Sequence, residues 1–312
     1  MLDAVSQTNY IYTFACHDEE QSLCHLELRS LFGVEPYEGY LMSTLKINAS
    51  RSPYVKSRVE ILYEGASIEE IAGRVKDIQL EGATFKVICI DCTASMDYRE
   101  QRDAERQIGL HIRGTAEMRK PERLFGAVKL GDRWYFGDYT KNEAVWLQHN
   151  NKPQHYSTAL STRVARAIAN IAVPHTMGIK AVDPCCGIGT VLVEALSIGI
   201  DIVGYDINPL AVRGARLNLA HFQMPAVVSQ GNILSLEGDY DVVILDLPYN
   251  LCSVLPEDEQ LLMLKAARRL SSQAVIITTG EIDSAIELAG FNITERGSVR
   301  KGSFVRQIIV CR

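Results

Sequence analysis

Three apolar runs, each closed by an acidic residue, constrain the fold of this 312-residue chain more than any other feature. They end at Asp183, Asp206 and Asp246. Short continuous apolar runs without polar alternation belong to strands buried on both faces, as in a parallel sheet covered by helices. An acid at the end of each then sets a row of carboxylates along one rim. From residue 178 onward, strand and helix patterns alternate. Strands are predicted over 180–184, 201–206, 226–230, 240–247 and 273–279, and helices near 190–197, 209–221, 257–270 and 283–290. Two further runs, 292–299 and 304–311, are closely spaced and read as an antiparallel pair. Alternating units of this kind imply an α/β fold with helices on both faces of the sheet.

The rim carries the chemistry. Gly187 and Gly189 follow the first strand and open a helix, where glycine tolerates positive φ and lets backbone approach a ligand closely. Asp183 precedes this turn. Asp206 ends the next strand, where a carboxylate can accept both hydroxyls of a ribose, as in dinucleotide sites. No Lys or Arg lies between Ala181 and Val212, so a pyrophosphate ligand is less expected than one with a ribose and a cationic sulfonium. That ligand is S-adenosylmethionine (SAM). A nicotinamide dinucleotide is the structural rival, because such folds share this rim. An antiparallel last strand would make the sheet the seven-stranded, Rossmann-like sheet of SAM-dependent methyltransferases. Asn232 follows the third strand, and its side-chain oxygen can accept a hydrogen bond from the adenine amine. Cys185, Thr190, Ile207 and Ile233 complete the expected cofactor set, with Asp246 at its edge.

Asp246, Leu247, Pro248 and Tyr249 form the expected catalytic group. An exocyclic base amine is a poor nucleophile, because its lone pair is delocalised into the ring. The Asp246 carboxylate and the Leu247 carbonyl can each accept one of its N–H bonds, aim the nitrogen and stabilise the charge that develops. Pro248 stiffens the turn, and Tyr249 can stack on an extruded base. The run resembles the [Asp/Asn]-Pro-Pro-Tyr motif of amino-methyltransferases, with Leu247 in place of the first proline. In many methyltransferases an acid stands where this chain has Asn232. The segment from Asp183 to Thr190, with Val193, Glu194, Ala195 and Tyr205 to Asn208, is similar to the tRNA guanine-N2 methyltransferases. Asn250 extends a weaker likeness to rRNA adenine dimethyltransferases.

The first half reads as smaller α/β modules. A strand is expected from Tyr10, a helix over 19–32 ended by Gly33, a loop over 49–57 around Pro53, and a helix opened by Ser67 and Glu70. A strand over 84–90, a helix over 97–112, and two strands joined at Gly131 and Asp132 follow. The segments around Phe85–Ile90, Gln107–Gly109, Arg119–Glu122 and Trp134–Gly137 resemble a THUMP domain, the RNA-binding module of several tRNA-modifying enzymes. The expected organisation is a ferredoxin-like α/β module over 1–66, a THUMP-like domain over 67–150, a linker and helix over 151–177, and a Rossmann-fold methyltransferase domain over 178–312. In this family a similar helix closes over the cofactor, which makes Thr158, Ser161 and Arg163 candidate rim residues.

The formal net charge of -6 excludes a globally basic nucleic-acid binder, so RNA contact must use local patches. Lys46, Arg51, Lys56 and Arg58 form one acid-free segment. Arg113, Arg119, Lys120, Arg123, Lys129 and Arg133 form a second, richer in base than acid. The eight cysteines show no framework of pairs. Cys89 and Cys92 form a C-x-x-C, with Cys16, His17, Cys24 and His25 off finger spacing, so reduced thiols are expected and no metal. No apolar run approaches a membrane span, and the chain reads as cytoplasmic. Together these features predict SAM-dependent methylation of guanine N2 in tRNA. An adenine-N6 methyltransferase and a non-catalytic RNA-binding protein with a vestigial fold are the alternatives. The residues leave open an activating subunit or a second copy of the chain.

Overall fold

The computed structural model describes residues 9–93, 95–156, 159–248, 256–302 and 304–312. The chain forms two compact units, one from Met1–Ala15 and Val34–Glu143, the other from Cys16–Gly33 and Ala144–Arg312.

The first unit is built on one six-stranded sheet. Its strands are β1 (Tyr10–Phe14), β2 (Tyr40–Ser43), β3 (Val55–Gly65), β4 (Phe85–Ile90), β5 (Arg123–Leu130) and β6 (Arg133–Lys141), in the order β2-β1-β3-β6-β5-β4. Only β4 and β5 pair in parallel. A boundary at 66/67 therefore falls inside one sheet. β3 replaces part of the expected loop: Pro53 ends the irregular stretch, and Val55, Ser57 and Val59 then alternate inward against Lys56, Arg58 and Glu60. The helix at Ile68–Arg74 is capped by the Ser67 side chain, and the helix at Tyr98–Gly109 opens with a capping box between Asp97 and Glu100. Both caps are legible from the S/D-x-x-E spacing. These helices bury Ile71, Ala104 and Ile108 with Phe85, Phe125 and Phe136 of the sheet. Gly131 turns the β5–β6 hairpin at φ +56°.

The second unit claims a helix the sequence had placed elsewhere. α1 (Gln21–Phe32) is buried on most faces, including Glu27, whose Oε1 accepts from Asn170 Nδ2 at 2.6 Å. α1 also lies against Gly297, where an added Cβ would come within 2.9 Å of Leu26. Its strands are β7 (Lys180–Asp183), β8 (Asp201–Asp206), β9 (Val228–Gln230), β10 (Val242–Asp246), β11 (Ala274–Thr278), β12 (Ile293–Lys301) and β13 (Phe304–Cys311). They order as β12-β13-β11-β10-β7-β8-β9, and β13 alone runs against its neighbours. This is the seven-stranded sheet expected. The remaining helices run over Thr162–Ala172, Thr190–Ser197, Pro209–His221, Glu257–Leu270 and Asp283–Leu288. We number these five α4 to α8, and the two helices of the first unit α2 and α3. The strand order reverses between β7 and β10. Asp183 and Asp246 end those two strands, so both carboxylates stand at the crevice where open α/β sheets take their ligands.

Candidate active site

A cavity of about 630 Å³ opens at this reversal point. Its floor is the turn after β7. Gly187 adopts φ +53° there, and a Cβ on it would meet open space, so the backbone angle alone demands glycine. Gly189 does not line the cavity. It turns at φ +77° to open α5, and its Cβ would stand 3.1 Å from Ala215. The two glycines thus do different work: one shapes the floor, the other seats it on α6.

Asp206 is bound into the floor. Its Oδ2 accepts from Gly187 N at 2.8 Å and its Oδ1 from Asn208 N at 2.8 Å. Each oxygen keeps a second lone pair for a ribose hydroxyl. Asn232 also has a structural task, as its Oδ1 accepts from Leu234 N at 3.0 Å. Asp183, Cys185, Thr190, Ile207, Asn232, Ile233, Asp246, Leu247 and Pro248 all line the cavity. Tyr249, Asn250 and Thr158 lie outside the described residues. Ser161 and Arg163 are not at the rim: Ser161 caps α4, and Arg163 reaches Glu20 at 3.2 Å.

Burial pushes the Asp183 and Asp246 carboxyls toward their neutral forms. Burial pushes Asp183 well above the usual carboxylate range, against the pull of the Cys185 N–H bond at 3.2 Å. Burial lifts Asp246 to about 7, and the Arg306 guanidinium tempers the rise. The Oδ1 of Asp246 is shut off from solvent and has no hydrogen-bond partner among the described residues. Such an orphaned acceptor is costly unless a ligand completes it. Leu247 N already donates to Ile277 O at 3.0 Å, which fixes the turn that follows. Burial also pushes the Cys185 thiol well up, so it is a neutral wall rather than a nucleophile.

Sequence reading missed part of the wall. Tyr156 comes from the stretch read as linker, Ala159 and Leu160 from the start of the helix expected after it, and Glu259 and Met263 from α7. Only the inward side of the amphipathic α7 pattern could have signalled Met263. Among the described residues lining the cavity the ionisable carboxyls are Asp183, Asp206, Asp246 and Glu259, and no lining residue is Lys or Arg. That lining fits a ligand bearing a sulfonium, an ammonium and a ribose, and it opposes a pyrophosphate. Among the described residues no three His, Cys, Asp or Glu side chains are placed to hold a metal, and Cys89 and Cys92 are free thiols. No helix of the described residues is long and apolar enough to cross a membrane.

Sheet order, floor and acid lining together suit S-adenosylmethionine as the ligand of this cavity. Residues 149–285, which contain the whole cavity, match the family model described as RMKL-like, methyltransferase domain. The chain is similar to the tRNA (guanine(10)-N2)-dimethyltransferase of Methanothermobacter thermautotrophicus, 26% identical over 67% of this chain and 65% of the relative. The enzyme of the same description from Pyrococcus abyssi is 25% identical, over 68% of each chain. A ribosomal protein L11 methyltransferase of Bacillus cereus is 30% identical over 43% of this chain and 44% of its own length. The chain thus spans slightly under two thirds of the first of these relatives.

Proposed function

We propose that this protein methylates an exocyclic base amine in RNA, guanine N2 of a tRNA. The observation that carries the reading is the Asp246 carboxyl, its pKa raised to about 7, with one oxygen that has no partner among the described residues at the edge of the cavity. The archaeal relatives, both described as acting on guanine N2, supply the choice of base and RNA.

SAM, when bound, supplies an electrophilic methyl group on sulfonium. Asp206 and the floor at Gly187 would hold its ribose, Asn232 would accept from its adenine amine, and Ile207 and Ile233 would offer apolar faces to the ring. A cation in the cavity favours the ionised form of Asp246. The Asp246 carboxylate and the Leu247 carbonyl each accept one N–H of the substrate amine, and this points the nitrogen lone pair at the methyl carbon. Asp246 would lie next to the nitrogen on which positive charge would grow during methyl transfer, and would stabilise that charge. The methylated amine then sheds one proton, for which a carboxylate of pKa about 7 is a competent acceptor.

The first unit would grip the RNA, as the THUMP resemblance implies. Arg113, Arg119 and Lys120 form no ion pair among the described residues and stay available to phosphates. Lys46 is less available, because Glu60 meets it at 2.8 Å. The test is incubation of unmodified tRNA with labelled SAM, digestion to nucleosides and their identification. N2-methylguanosine is expected; N6-methyladenosine would move the substrate to adenine, and no label would sink the reading. Asp246→Ala should lower turnover by about 10²–10³-fold or more while binding of S-adenosylhomocysteine persists.

A further inference from the structure

Tyr156, which lines the cavity, ends a strap, residues 145–156, whose placement depends on buried side chains of the second unit. Two anchors hold it. His149 Nδ1 meets Glu194 Oε1 at 2.6 Å, and the other oxygen of Glu194 meets the buried Arg166 at 3.2 Å. The second anchor is Asn218 of α6, which is fully buried. Its Oδ1 accepts from Gln154 N at 2.9 Å, and its Nδ2 donates to Gln154 O at 3.2 Å and to Ile188 O at 2.9 Å. One amide therefore ties the strap to the cavity floor, since Ile188 lies between the two floor glycines. Gly214, one turn earlier on the same face of α6, keeps the meeting point open. A Cβ there would approach Ile188 Cγ2 to 3.1 Å and Gln154 Cβ to 3.8 Å.

We propose that Asn218 is a positioning residue for the cofactor: it couples strap and floor, so that opposite sides of the cavity keep one spacing. Its donor pair matters as much as its acceptor. Asn218→Asp keeps size and acceptor but deprives Ile188 O and Gln154 O of their partner. The inference rests on the cavity being the SAM site.

The test is calorimetric titration of the full chain with S-adenosylhomocysteine, beside a hydrogen-exchange map of residues 145–156. Wild type is titrated first; no binding would overturn the cofactor reading and this proposal with it. Asn218→Asp should weaken binding by about tenfold to a hundredfold and raise exchange in the strap. KM for SAM should rise while turnover at saturating SAM holds. Gly214→Ala, which disturbs the same junction from the other side, should also weaken binding should Asn218→Asp fail to fold. Gln154→Ala should change little, because only its backbone is used. Unchanged affinity in a folded Asn218→Asp or Gly214→Ala, with only a lower melting temperature, would overturn the proposal and leave Asn218 as a core residue.

Discussion

In the first unit, Glu122 accepts from the Thr84 N–H at 2.8 Å and the Thr84 hydroxyl at 3.0 Å, and these bonds hold its carboxyl below the ordinary range. Asp91 there is pushed up by burial but pulled further down by the N–H groups of Met96, Ser95 and Thr93. In the second unit Asp183 and Asp246 have few such donors, and burial drives both up. The first arrangement stabilises the ionised form and serves the fold. The second leaves strand-end carboxyls short of partners at a cavity, which costs stability and marks the place where a ligand completes them. Shift direction therefore separates Glu122 and Asp91 from Asp183 and Asp246, although all four are carboxylic acids.

The largest expected effect breaks that contrast at its extreme. In the unfolded chain Asp246 titrates near the ordinary value; in the folded chain it does so at about 7. Its native pKa is raised, so the stability it contributes is complete below about pH 4 and is lost as pH climbs to about 7. Asp246→Asn removes the titration. The variant should match wild type in acid and exceed it at pH 8, by up to about 4 kcal/mol from 1.36 kcal/mol per pH unit. Denaturant unfolding at pH 4 and pH 8 measures this. A gap that does not widen with pH would mean the carboxyl is not desolvated. For the reaction, kcat/KM of the wild type should rise with pH through about 7.

The second unit was the more legible of the two. Apolar runs closed by acids fixed β8 and placed Asp183, Asp206 and Asp246 on one rim, because a buried parallel strand has few other residue choices. The Gly187–Gly189 turn was legible for its backbone angles. The partner of Asp206 was not: a bond to Gly187 N crosses between strands and leaves no trace in periodicity. The unit to which α1 belongs was equally invisible, since it rests on contacts of Glu27 and Leu26 with Asn170 and Gly297, far along the chain. In the first unit, β3 hid behind Pro53 although Val55 to Ile61 alternate cleanly. The strap misled for another reason. Lys152 looks like a linker residue and His149 like the end of the domain before it, yet both are buried, and the His149 ring meets the buried Glu194.

The same contrast extends to cations. If paired charges are structural and unpaired ones available, replacing Arg119 and Lys120 together by Gln should weaken tRNA binding about tenfold at physiological salt. The slope of log affinity against log salt should fall by about 2, one phosphate contact per residue. Binding at several salt concentrations reads both quantities. A loss of affinity with an unchanged slope would place the two residues away from the phosphate backbone.

Arg133 supplies the smallest effect and the sharpest control. It lies close in sequence to those two cations, but its Nη2 meets Glu64 Oε1 at 3.1 Å, and both side chains are about half exposed. An exposed pair of this kind is worth roughly 0.5 kcal/mol or less, because water screens the attraction and two long side chains must be ordered. Arg133→Gln should therefore change stability within that limit and leave tRNA affinity and its salt slope where they were. Equal losses of affinity from Arg133→Gln and from the Arg119 and Lys120 replacement would show that pairing with Glu64 does not withdraw a cation from RNA. The rule drawn from the carboxylates would then stop at the acids.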